Sequence, residues 1–67
     1  MTPDQSCLDA CQSSFQSTVN RLNNVLLDSL IQADGDEAWE KRAKENFEKG
    51  LTLARKVRGI CVNSCNS

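Results

Sequence analysis

Sixty-seven residues leave room for one small domain, 1–67, and too little apolar mass to bury a deep core unaided. Nine acids against eight bases, with no histidine, give a net charge of -1, which argues against general nucleic-acid binding. No apolar run approaches the roughly 20 residues of a membrane-spanning helix, and the polar, acidic stretch from Met1 to Asn20 lacks the basic start and apolar core of a signal peptide.

The first predicted element opens at Thr2-Pro3-Asp4-Gln5. Thr2 is placed to cap it, Pro3 to occupy the first helical position, and Gln5 to close a capping box. Asp4 suits the positive end of the helix dipole. From there Leu8, Cys11, Phe15, Val19, Leu22, Leu26, Leu30 and Ala33 recur every three or four residues. That period predicts an amphipathic α-helix over about 3–33. The only break in the pattern is Asp34-Gly35-Asp36. Gly35 can end the first helix in a left-handed conformation, and Asp36 can cap a second.

The second element repeats the period through Trp39, Ala43, Phe47, Gly50, Ala54, Val57, Cys61 and Cys65, which predicts a helix over about 37–64. Glu40-Lys44 and Glu45-Lys49 are acid-before-base pairs four residues apart, each stabilising an exposed helix by a few tenths of a kcal/mol. The fold class is all-α: a two-helix antiparallel hairpin with its turn at 34–36.

The four cysteines test that hairpin independently. They form two pairs, Cys7/Cys11 and Cys61/Cys65, and a spacing of four puts both sulfurs of a pair on one helical face. In an antiparallel hairpin, facing residues have numbers that add to a constant. Seven plus 65 and 11 plus 61 both give 72, and half of 72 falls in the Asp-Gly-Asp break. Four cysteines allow three pairings. Bridges within each pair would strain a helix and join nothing, and crossed bridges would stretch past disulfide geometry. The favoured pairing is Cys7–Cys65 with Cys11–Cys61. The same sum sets Phe15 against Val57, Leu22 against Gly50, Val25 against Phe47 and Ala33 against Trp39, so large residues meet small ones along the seam. Trp39 is expected to fill the core beside the turn, against Ala33 and Leu30.

The two CX3C pairs in hairpin order resemble the twin-CX3C helical hairpins, which include small mitochondrial intermembrane-space chaperones and short plant α-hairpinin peptides. In this chain 49 residues separate Cys11 from Cys61, a longer spacer than those families carry, and no activity is transferred from them. A second likeness is architectural: the plasmid copy-number regulator Rop is also a short helical hairpin, and it dimerises into a four-helix bundle.

Several functions compete for these residues. Four thiolates on two helices could bind zinc, but the register of the cysteines explains them without a metal, and no cofactor is expected. Lys49, Arg55, Lys56 and Arg58 could be a phosphate or RNA contact, with Arg55, Lys56 and Arg58 serving a Rop-like nucleic-acid-binding dimer. No aromatic residues interleave with them, so a solvated helix end is the simpler reading. With no histidine and no glycine-rich loop, and two helices unable to enclose a pocket, an enzyme is not expected. Apolar residues remain beside the seam, among them Leu27, Ile31, Leu51, Leu53, Ile60 and Val62. Leu27, Ile31, Leu51 and Leu53 are the expected partner-binding residues, for a second copy completing a four-helix bundle or for another protein. The leading expectation is a non-enzymatic, disulfide-clamped interaction or structural module. Helical metal binding or thiol handling by the four cysteines is one alternative, and nucleic-acid binding another. Bridged cysteines point to an oxidising compartment: secreted or periplasmic, with a leader already removed, or the mitochondrial intermembrane space.

Overall fold

The computed structural model describes residues 4–66. Two α-helices account for nearly all of them: α1, Gln5–Ala33, and α2, Glu37–Cys65. They lie antiparallel as one hairpin, with principal Cα extents of 53 × 15 × 8 Å. The expected all-α hairpin and the turn at 34–36 are therefore the observed ones, with α2 one residue longer than the predicted 37–64.

Each helix starts on an aspartate. The Asp4 carboxylate accepts from the amides of Ser6, at 3.0 Å, and Cys7, at 3.4 Å. The Asp36 carboxylate accepts from Ala38 at 3.0 Å and Trp39 at 3.2 Å. Both side chains meet donors that the first turn of a helix leaves unpaired. The Thr2 cap and the first-turn Pro3 fall outside the described residues. Asp4 takes the capping role at the start of α1, and Gln5 bonds the Asp9 carboxylate at 3.0 Å rather than a cap.

The turn needs two consecutive residues at positive φ. Asp34 lies in the left-handed region at φ 47, and Gly35 follows at φ 87. The Asp34 amide reaches back to the Leu30 carbonyl at 3.3 Å, and the Asp36 amide to the Ala33 carbonyl at 2.9 Å. The last carbonyls of α1 thus find donors while the chain reverses. Aspartate and glycine are among the residues that tolerate this backbone.

The seam between the helices is built from small side chains. Among the described residues the buried apolar ones are Cys11, Ala33, Ala43 and Ala54. Leu8, Phe15, Val19, Leu22, Leu26, Phe47 and Leu51 are half-buried along it. Gly50 lies directly under Leu22: a Cβ added there would sit 2.6 Å from a Leu22 methyl. The expected Leu22–Gly50 pair is therefore real, and it lets the backbones approach closely.

Three residues expected in the seam are largely exposed. Val25 is 58% exposed, Val57 64% and Trp39 47%. The sum of 72 fixes the height at which residues meet, but not the direction in which each side chain points. At about 100° per residue, Val57 and Arg58 flank the Ala54–Cys61 line that faces α1 by about 50° on either side, and Val57 stands on the grooved side. Arg58 is next to it and half-buried, with its guanidinium 4.0 Å from the centre of the Phe15 ring. Phe15 thus packs under a cation. Trp39 stands beside the turn, partly open to solvent, instead of filling it.

Removing one cap tests this account. Asp36→Ala is expected to lower unfolding stability by about 1 kcal/mol in urea titration followed by circular dichroism. The helix signal of the folded state should be unchanged. Full retention of stability would show that the α2 start does not depend on this carboxylate.

Candidate interaction surface

The two bridges set the frame of the surface. Cys7–Cys65 and Cys11–Cys61 hold the Cα atoms 5.8 and 5.9 Å apart. They stack as adjacent rungs at the end opposite the turn, with Cys11 Sγ 3.6 Å from Cys65 Sγ. Cys11 is 2% exposed, so the inner rung belongs to the core. Either bridge alone would close a loop of 50 or more residues and restrict the unfolded chain by about 4 kcal/mol in the chain-entropy model. Once one exists, the other closes only the short ring between rungs and adds about 2–3 kcal/mol on the same model.

All four sulfurs are engaged in these bridges, and no free cysteine is found among the described residues. The sulfurs of Cys7, Cys11 and Cys65 do lie within 4.8 Å of one another. Zinc coordination requires thiolates, and a bridged sulfur is not one.

The two broad faces of the hairpin differ. On one, a groove of about 440 Å3 runs between the helices. Gly50 and Ala54 form its floor, Phe15 and Leu22 one wall, and Leu53 and Val57 the other, with Ser14 and Thr18 at the α1 rim. Leu22 also lines a smaller depression of about 210 Å3 toward the turn, beside Val25, Ala43 and Phe47. Nearer the turn, Trp39 borders a cleft with Asp36 and Arg42. Helical phase puts Ile60, 57% exposed, on the same side as Leu53 and Val57, which precede it by seven and three residues. This face therefore presents Val25, Trp39, Leu53, Val57 and Ile60 around a floor without side-chain bulk. The opposite face has a depression lined by Gln12, Gln16 and Asn20 around Phe15 and Val19, and by helical phase the exposed Leu30 stands on that side as well.

The residues expected to bind a partner are not brought together. Leu27, Ile31 and Leu53 are exposed, but Leu51 is half-buried at the seam. Leu51 and Leu53 are about 200° apart on α2, and Leu27 and Ile31 point from the outer side of α1. Only Leu53 lies on the grooved face. The apolar period sets Trp39 and Val57 in the seam, the sum of 72 adds Val25, and Ile60 is left among the residual apolar residues. Helical phase measured from the buried alanines instead locates all four on the grooved face.

The basic group is also divided. Arg58 covers Phe15, while Lys49, Arg55 and Lys56 are exposed; Lys49 and Lys56, seven residues apart, share one side of α2, and Arg55 points away from them. They form no single phosphate-facing row. Among the described residues no helix is long and apolar enough to cross a membrane. No family model, curated protein or solved structure matches this chain.

The stacked rungs carry a quantitative expectation. Replacing either bridge by two alanines should cost about 2–3 kcal/mol, and replacing both about 6–7 kcal/mol. The double loss exceeds the sum of the single losses, because the surviving bridge already closes the long loop. Chemical denaturation of the three variants measures this. Simple additivity would show that the rungs act through local packing rather than chain entropy.

Proposed function

We propose that this chain is a non-enzymatic interaction module: a small helical plate, clamped at one end, that acts by offering its grooved apolar face to a protein surface. The observation that carries the reading is the distribution of exposed apolar side chains. Val25, Trp39, Leu53, Val57 and Ile60 are all large and exposed, and all lie on one face around the Gly50/Ala54 floor. Scattered surface leucines are ordinary, but five large exposed apolar residues along one face of a two-helix plate have the form of a binding site. A groove between two helices suits a further helix, whose side chains can enter between the ridges.

Several features support the absence of catalysis. The grooved face carries no titratable cluster, and its polar groups are few. The Thr18 hydroxyl is already donated to the Ser14 carbonyl at 2.9 Å. Two bridged pairs are compatible with an oxidising compartment, and a secreted or periplasmic site of action fits a module whose register depends on disulfides.

Site-specific cross-linking in the source cell tests the proposal. A photo-reactive benzophenone side chain placed at Ile60 should give a discrete covalent adduct on illumination. The same group at Asn24, on the outer side of α1, should give none. No discrete adduct from Ile60, or equal adducts from both positions, would remove the grooved face as the working surface.

A further inference from the structure

We infer that the occupant of the grooved face is a second copy of the chain, packed antiparallel about a two-fold axis that passes beside Leu53. This inference rests on the interaction-module reading and names its partner.

The chain exposes 5278 Å2, whereas a compact folded monomer of 7.4 kDa exposes about 4,200 Å2 by the surface-to-mass relation. The excess of about 1,100 Å2 is close to what one partner contributes to a stable interface, about 800 Å2. A plate 53 × 15 × 8 Å removes such an excess by stacking face to face with another plate of the same length.

The bridges fix facing residues at a sum of 72, so Leu53 sits at the height of residue 19 on α1. That is the midpoint of α1, Gln5–Ala33. Two hairpins that overlap over their whole length, with turns at opposite ends, must therefore meet with Leu53 on or beside the axis. Along the two α2 helices, facing numbers then add to about 106. Val57 falls within one residue of the second copy's Gly50, where there is no side chain to displace, and the reverse contact follows by symmetry.

The charged residues on or bordering this face are Arg42, Lys49, Lys56 and Arg58 on α2 and Arg21 and Asp28 on α1. In the same register they fall opposite Ser64, Val57, Gly50, Glu48, Ser17 and Ala10 of the second copy. No two like charges stand directly opposite; Lys49 falls one residue from the second copy's Lys56, and it can lay its aliphatic stem along Val57 with its ammonium in water. The face is complementary to itself in shape.

The test uses the property that a residue on a two-fold axis meets itself. Wild-type protein should sediment as a non-covalent dimer at high micromolar concentration. Leu53→Glu and Leu53→Lys should each be monomeric, with unchanged helix content and no free thiols, because each would bring like charges together. Mixed in equal amounts, the two variants should recover a heterodimer. Leu27→Glu, on the outer side of α1, should leave the dimer intact. A wild-type monomer at about 1 mM, the weak end of the affinity scale, would overturn the second-copy assignment. So would a dimeric Leu53→Glu variant, or a mixture that stays monomeric. If the Ile60 cross-link then gives an adduct heavier or lighter than two chains, the face still binds a protein and only its partner is misnamed. If no adduct forms, the interaction-module reading fails with it.

Discussion

The whole architecture depends on one constraint, the register of α1 against α2. A hairpin with a single seam has little to resist sliding, since small side chains along both helices offer many nearly equivalent alignments. Here the register is set at both ends. At the closed end, Asp34 and Gly35 reverse the chain in two left-handed residues. At the open end, two rungs one helical turn apart hold the same alignment. One rung would leave the helices free to pivot about it, and the second removes that freedom. The clamp sits where helix ends would otherwise open first.

A close seam has a cost in core volume. Ala33, Ala43, Ala54 and Gly50 allow tight approach of the backbones, but they bury little apolar area. The larger residues Phe15, Leu22, Leu26 and Phe47 reach the seam only halfway. Hydrophobic burial within one chain is therefore thin, and restriction of the unfolded state by the bridges compensates for part of it. The same small residues that bring the helices together also form the groove floor. Seam packing and surface shape are thus two consequences of one choice of residues.

Much of this was legible in the sequence because helical period and cysteine number are both linear quantities. The break at 34–36, the Asp36 cap and the pairing of Cys7 with Cys65 and Cys11 with Cys61 follow from spacing alone. The direction of each side chain around its helix is harder to read. Val57 and Arg58 stand at almost the same height, and hydrophobicity favours Val57 for the seam, yet the long aliphatic stem of arginine lets Arg58 reach Phe15 while its charge rests on the ring face. Trp39 fits the periodic pattern, but one turn past the cap there is no opposing wall to enclose it. Hydrophobicity alone therefore misplaces residues wherever two neighbours straddle the edge of a narrow seam. The small buried residues Ala43, Ala54 and Cys11 mark the true facing line better than the large ones.

The clamp also bears on how such a face could bind. Association loses affinity to the ordering of side chains and loops. A plate whose backbone is fixed by caps, a two-residue turn and two bridges has little left to order except the side chains of the apolar strip. Leu53, Val57 and Ile60 lie on continuous helix, not on loops, so their spacing is set before any partner arrives. Valine and isoleucine are stiff at their first side-chain torsion and lose less freedom on contact than longer residues would. A chain too small to bury its own apolar surface can in this way hold that surface flat and open, with disulfides rather than a core keeping it folded. Its stability and its surface are then set by different residues, the cysteines at one end and the strip along one face. Changes to the strip can therefore alter binding without unfolding the plate that presents it.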